Sequence, residues 1–225
     1  MLAEKGDKVP ASSPDPEWSP GLPLQAVPFA ILAGAALWLA RHFYGLPERL
    51  PIHWNWRGEA DGFVGRNGVS VALPLLIGAA VCLMLAAFRS GLRRSAPGGA
   101  LRTATLKVLL AGEYFTALIC CGVLAASVTS GRLLKPVLWF VFAAVVGLVT
   151  FAAYAARGIP RERARNPSAW QARLFYVDRH DPALFVPKRN GFGYTFNFGH
   201  PAALLLTVAT LVVPLAIALA ALLLR

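Results

Sequence analysis

The sequence predicts an all-α membrane protein: a bundle of five transmembrane helices with a structured outer loop and a small cytoplasmic segment that contains a β-hairpin. Three observations carry this. The chain is 56% hydrophobic and only 15% charged. Its apolar residues are gathered into five long blocks instead of recurring at helical spacing, so no block has a polar face to turn toward water. Each block also reaches the roughly 20 residues that about 30 Å of hydrocarbon requires.

Residues 1–21 mix prolines with scattered charges and read as a disordered cytoplasmic tail. The first span, Leu22 to Tyr44, starts behind that leader without a small-x-small cleavage site, so it is expected to remain as a helix. An outer loop, 45–68, leads to the second span, Val69 to Phe88, and residues 22–90 form a first unit. Residues 89–107 read as an inner loop whose flexible centre, Ser95-Ala96-Pro97-Gly98-Gly99, lies between arginines. The third span, Val108 to Ser130, and the fourth, Pro136 to Ala156, form a second unit, 91–156. The turn Gly131 to Lys135 makes them an antiparallel pair.

Residues 157–225 form the last unit. Its basic stretch, Arg157 to Arg173, is expected to continue the fourth helix until Pro160 interrupts it. Leu174–Val177, Ala183–Val186 and Tyr194–Phe198 lean toward strand, and Asn190-Gly191 is a turn signal between the last two, which predicts a hairpin. A fifth span runs from Pro201 to Leu224.

A net charge of +11 invites a nucleic-acid reading, but the positions of the charges argue for topology instead. Fifteen of the 22 Lys and Arg residues fall on the amino-terminal side of the expected bilayer, among them Arg89, Arg93, Arg94 and Arg161. The positive-inside rule then places the amino terminus in the cytoplasm and the carboxyl terminus outside a bacterial inner (plasma) membrane. The lipid bilayer is the first partner, its anionic head groups attract the basic excess, and no direct contact with nucleic acid is expected. Cys82, Cys120 and Cys121 all fall in spans, where they pack as small apolar residues. No internal repeat is present, which weakens an inverted-repeat transporter.

Residues 50–62 are the most informative stretch. Leu50-Pro51-Ile52-His53-Trp54-Asn55-Trp56-Arg57-Gly58-Glu59-Ala60-Asp61-Gly62 crowds polar groups between two apolar blocks, where they are costly to bury. His53, Glu59 and Asp61 could ligate a metal, yet one histidine with carboxylates six and eight residues later matches no zinc spacing, so no metal and no cofactor are expected. The structural alternative has Asn55 and Asp61 bonding to loop backbone, Gly58 and Gly62 permitting tight turns, and Trp54 and Trp56 anchoring at the interface. The reading adopted combines the two: His53, Asn55, Gly58, Glu59 and Asp61 build an ordered loop that recognises a ligand or partner.

Glu113, about two turns into the third span, is an intramembrane carboxylate and hence a functional candidate. Pairing with Lys107 or Arg102, or solvation near the interface, is the alternative. Asp178, His180 and Asp181, with His200 nearby, suggest a metal or acid–base cluster, although Asp-Pro and Asn-Gly steps are more simply turn formers. No nucleophile elbow, P-loop, zinc-protease helix or dinucleotide fingerprint occurs, so no enzyme is expected.

The motif on Pro51, Ile52, His53, Trp54, Asn55, Gly58, Glu59 and Asp61 resembles the bacterial membrane domain at the front of SdpI-like toxin-immunity proteins, over about the first ninety residues. That resemblance implies immunity or signalling against a membrane-active peptide. The stretch Phe175 to Pro201, with Asp181, Lys188, Arg189, Gly191, Gly193 and Asn197 at its motif positions, looks like a short domain of unknown function that often follows the first. It departs from that pattern at Val177, and it stands where immunity proteins carry a further helical region.

The function expected is recognition by an envelope protein whose outer loop meets a peptide such as a toxin, a lipid or another partner, and whose inner segment anchors or reports to a cytoplasmic regulator. Self-association is compatible with this. The rival from another class is a small ion- or proton-coupled transporter that uses Glu113. An intramembrane hydrolase is disfavoured because no span carries paired catalytic groups.

Overall fold

A computed structural model describes residues 18–96, 99–155, 166–189 and 193–204, together with 207, 208 and 212. Four helices in it are long and apolar enough to cross a membrane, which makes the chain a membrane protein. They are α1 (Leu22–His42), α2 (Gly68–Ser95), α3 (Ala100–Val128) and α4 (Leu134–Ala155). Residues 201–204 are helical, but the rest of the expected fifth span lies largely outside the described residues. So do residues 156–165, on which the continuation of the fourth helix was expected.

Two helices are longer than hydropathy suggests. α2 passes Phe88 and carries Arg89, Arg93 and Arg94 in its last turns, and α3 begins eight residues before Val108. The expected inner loop, 89–107, thereby shrinks to a short link. Arginine is a good helix former although it avoids hydrocarbon, so the apolar block ends before the helix does. What stops α2 is Pro97: Ala96 takes φ −93° and ψ 145°, the extended conformation that a following proline imposes. Arg102 fastens the link by donating from Nη1 to the Ala96 carbonyl at 2.8 Å. Basic side chains at a helix C-terminus also complement its dipole.

α1, α2 and α3 share a core of Leu32, Leu39, Leu75, Cys82, Ala117 and Leu124. α4 packs chiefly on α3, and Val137 fills the space beside Gly122. Its remaining faces expose Trp139, Phe142, Val149 and Tyr154, which suits contact with lipid tails.

Between α1 and α2 the chain forms an antiparallel hairpin, β1 (Arg49–Trp54) and β2 (Ala60–Gly65), where the sequence suggested only an ordered loop. Leu50 is buried in the helical core and Val64 packs beside it. Arg66 ties the hairpin to the end of α1, donating from Nη1 to the carbonyls of Tyr44 and Leu46 at 2.6 and 2.9 Å. The Trp54 indole lies over the α3–α4 turn, its Nε1 3.0 Å from the position a Cβ on Gly131 would occupy. The two segments expected outside therefore meet at one end of the bundle.

The segment after α4 gathers at the other end. Two short pairs, β3 (Trp170–Gln171) with β4 (Phe175–Tyr176) and β5 (Phe185–Pro187) with β6 (Tyr194–Phe196), are joined by a parallel bridge between Tyr176 and Asn197. β5 and β6 are the hairpin the sequence predicts, with Asn190 and Gly191 of its turn outside the described residues. Phe185 docks this segment against Leu92, Ala96 and Leu106 of α2 and α3.

Candidate functional site

The hairpin tip is a hydrogen-bonded unit built from the motif residues. Asn55 organises it: its Oδ1 accepts from the backbone N–H of Arg57 at 2.9 Å and of Glu59 at 3.0 Å, and its Nδ2 donates to Glu59 Oε2 at 3.0 Å. Its own N–H donates to the Glu59 carbonyl, and Gly58 N–H donates back to the Asn55 carbonyl. Gly58 sits at φ +81°, where an L side chain would be strained. An asparagine supplies both a donor and an acceptor on one short arm, and the tip uses both.

Behind the tip, His53 faces Gly62 across the strands, and a Cβ on Gly62 would come within 2.8 Å of the His53 Cβ. The room lets His53 Nδ1 meet Asp61 Oδ1 at 2.5 Å on the exposed face of the hairpin. Trp56, 88% exposed, lies under the Arg57 guanidinium. Asn55, Gly58 and Glu59 are thus spent mainly on the turn, while His53, Asp61, Trp56 and Arg57 present an outward surface. Asp61 bonds His53 rather than loop backbone.

Under the hairpin is a pocket of about 370 Å³, bounded by Leu50, Ile52 and Val64 of the strands and by Val71, Pro74, Cys120 and Leu124 of α2 and α3. Nearly all of its wall is apolar. Ser70 and Ser127 are its hydroxyl-bearing residues, and the buried Oγ of Ser70 has no hydrogen-bond partner among the described residues. Pro74, one helical turn on, has no N–H to donate to the Ser70 carbonyl. The Ser70 hydroxyl thus stands unpaired beside an apolar pocket, an arrangement that a hydrogen-bonding ligand would relieve. Nothing in the sequence singles out Ser70.

Glu113 is fully buried, and its partner is Arg89 of α2, not Lys107 or Arg102. Arg89 Nε lies 3.2 Å from Oε1 and Nη2 donates to Oε2 at 3.3 Å. Lys107 instead lies over the Trp18 ring. Because α3 starts at Ala100, Glu113 is nearly four turns inside the helix, deeper than the sequence suggested, and the extension of α2 is what carries Arg89 to its level.

In the segment after α4, Asn197 is completely buried and saturates its amide. Nδ2 donates to the carbonyls of Asp178 and Asp181 at 2.7 and 2.9 Å, and Oδ1 accepts from the N–H groups of Asp178 and Gly199 at 2.9 Å each. Asp181 accepts from Ala183 N–H and from the Tyr176 hydroxyl. Asp178 accepts from Asn166 Nδ2 and His180 N–H, bonds that hold its carboxyl below the usual range. These acids are turn and cross-strand formers, and among the described residues no three metal-ligating side chains converge. Lys188 and Arg189 are exposed, Gly193 takes φ +75° in the turn, and Gly191 lies outside the described residues.

Residues 29–78 match the model of a domain of unknown function (DUF1648), and residues 179–204 match that of a family of unknown function (DUF5808). The first match contains the hairpin and the wall of its pocket from α2, and the second contains Asn197. No curated protein and no solved structure matches the chain.

Proposed function

We propose that this protein is a recognition module of the bacterial inner membrane, with the hairpin outside and the amino terminus in the cytoplasm, and that it confers immunity to, or signals the presence of, a membrane-active peptide. The pocket beneath the hairpin carries this reading. It is apolar enough to take a peptide's aliphatic or aromatic side chain from the outer leaflet, and Ser70 offers an acceptor to a peptide N–H. His53 and Asp61 contact the ligand's polar face directly, while Asn55, Gly58 and Glu59 hold the tip in shape. The likeness of the His53 motif to SdpI-like immunity proteins supplies the class of ligand.

The transporter rival rests on Glu113. Its pairing with Arg89 neutralises the one intramembrane carboxylate that an ion or proton would use, and the geometry is that of a helix–helix tie. A cytoplasmic regulator for the inner segment, or self-association, is compatible with recognition but not required by it.

The test is protection of cells challenged with the sporulation-delaying toxin peptide. Expression of the wild-type protein should protect, Ile52→Trp should fill the pocket and remove protection, and Ser70→Val should weaken it, with membrane levels unchanged in both variants. Failure of the wild type to protect, or full protection by Ile52→Trp, would contradict the reading. Thiol labelling of a cysteine placed at position 53, after the native cysteines are replaced, must occur from the outside.

A further inference from the structure

At the end of the bundle away from the hairpin, a second pocket of about 350 Å³ opens between α1 and α2. Its wall is made by Gln25, Ala86, Arg89, Ser90, Arg93 and Arg94, and it is predominantly polar, unlike the pocket under the hairpin. Arg89 is only 5% exposed in its side chain, and Nε and Nη2 hold Glu113, which leaves Nη1 on the far edge of the guanidinium fork. That Nη1 is buried and has no hydrogen-bond partner among the described residues. An unsatisfied buried guanidinium donor is costly and asks for an acceptor.

The surroundings specify the acceptor's charge. Arg93 and Arg94 are exposed at the pocket's rim, and no ion pair engages either among the described residues. Gln25 lies in the first turn of α1, where the helix start has no side-chain cap and no acidic residue. The positive dipole end of a helix favours an anion. Tyr114 anchors this turn against α3 by donating to the Leu24 carbonyl at 2.8 Å. Glu113 is the acid nearest the pocket in this ion-pair network, and Arg89 already neutralises it.

Leu22 and Leu24, both exposed, begin the membrane-crossing stretch beside the pocket. The cavity therefore stands where apolar surface gives way to arginine, at the level of phospholipid head groups. We infer that this pocket binds the phosphate of an anionic phospholipid head group, with Arg89 Nη1 as the inner donor and Arg93 and Arg94 as the outer ones. Arginine suits this role because its planar donors match phosphate oxygens in pairs. Complementing the α2 dipole would explain Arg93 and Arg94 but needs neither a cavity nor the buried donor of Arg89. The site is independent of the hairpin and its ligand.

The experiment uses the full-length protein in detergent, with soluble short-chain phosphatidylglycerol, short-chain phosphatidylcholine or inorganic phosphate added, and reads apparent affinity from the rise in Tm. The wild type should bind phosphatidylglycerol at least about tenfold more tightly than phosphatidylcholine. Each arginine near a charged membrane surface contributes about a fivefold factor, so Arg93→Gln with Arg94→Gln should weaken binding by about thirtyfold. Arg179→Gln with Arg189→Gln removes equal charge from the exposed inner segment and should change it less than about threefold. Both pairs lie at exposed positions, and an unliganded Tm equal to the wild type's verifies folding. Inorganic phosphate at millimolar concentration should compete weakly; protection by phosphate alone, as strong as that of the lipid, would transfer the site to free phosphate and overturn the lipid assignment. Equal losses in the two double variants, or no preference for the anionic lipid, would overturn the site itself.

Discussion

Removing either partner of the Arg89–Glu113 pair should destabilise the protein far more than removing both. The two groups meet through two contacts, at 3.2 and 3.3 Å, with side-chain exposures of 5% and 0%. At an effective dielectric constant of about 20, unit charges at that separation attract by about 5 kcal/mol. Desolvation offsets most of this while the pair is intact, but a single deletion leaves the other charge buried and uncompensated, at a cost of about 3–5 kcal/mol. Without Arg89 beside it, Glu113→Gln would only exchange a carboxylate for a less costly amide; with Arg89 there, it strands a cation. Arg89→Met and Glu113→Leu should each cost that much, whereas the double variant, packed with side chains of similar volume, should fall within about 1 kcal/mol of the wild type or exceed it. Denaturation in mixed micelles, followed by tryptophan fluorescence, gives the four corners of the cycle. Single losses below about 1 kcal/mol that simply add in the double variant would refute the pair as a buried tie between α2 and α3, since additivity is the mark of independent sites.

Three further outcomes are expected. Gly62→Ala should distort the hairpin, because its Cβ would press on the His53 Cβ at 2.8 Å, and should cost about 1–3 kcal/mol; Gly65→Ala, with open space around it, is the control, and equal effects in proteolysis of the hairpin would contradict the register. Asn197→Ala deprives four backbone groups of their partners and should cost about 3–4 kcal/mol, from roughly 1 kcal/mol for each hydrogen bond lost; hydrogen exchange at the Asp178 and Gly199 amides should accelerate selectively, and unchanged protection would count against the network. The Asp178 carboxyl is held down by Asn166 and by its backbone bonds, so its stabilisation is present above the ordinary value of 3.8 and is lost as pH falls through the lowered one. Fluorescence of Trp170 should report loosening of the inner segment only under strongly acid conditions, and Asp178→Asn should flatten that response; a midpoint above the ordinary value would reverse the sign and defeat the assignment.

Hydropathy by itself determined that this chain crosses a membrane and where the first four spans lie, because moving about 20 apolar residues into hydrocarbon outweighs any local preference. Turn chemistry was equally legible: Asn-Gly between β-leaning stretches marked the β5–β6 hairpin, and Asn55 with Gly58 marked an ordered tip, since those side chains act on backbone a few residues away. The true ends of α2 and α3 were not legible, because arginine is unfavourable in hydrocarbon yet favourable in a helix, and hydropathy registers only the first. Only the tertiary structure matched Glu113 with Arg89, 24 residues earlier, since the choice among Arg89, Arg102 and Lys107 depends on how two helices face each other. It likewise placed Ser70 against an apolar pocket and turned His53 toward Asp61. Such pairings across elements are set by packing, for which a linear pattern carries no distance.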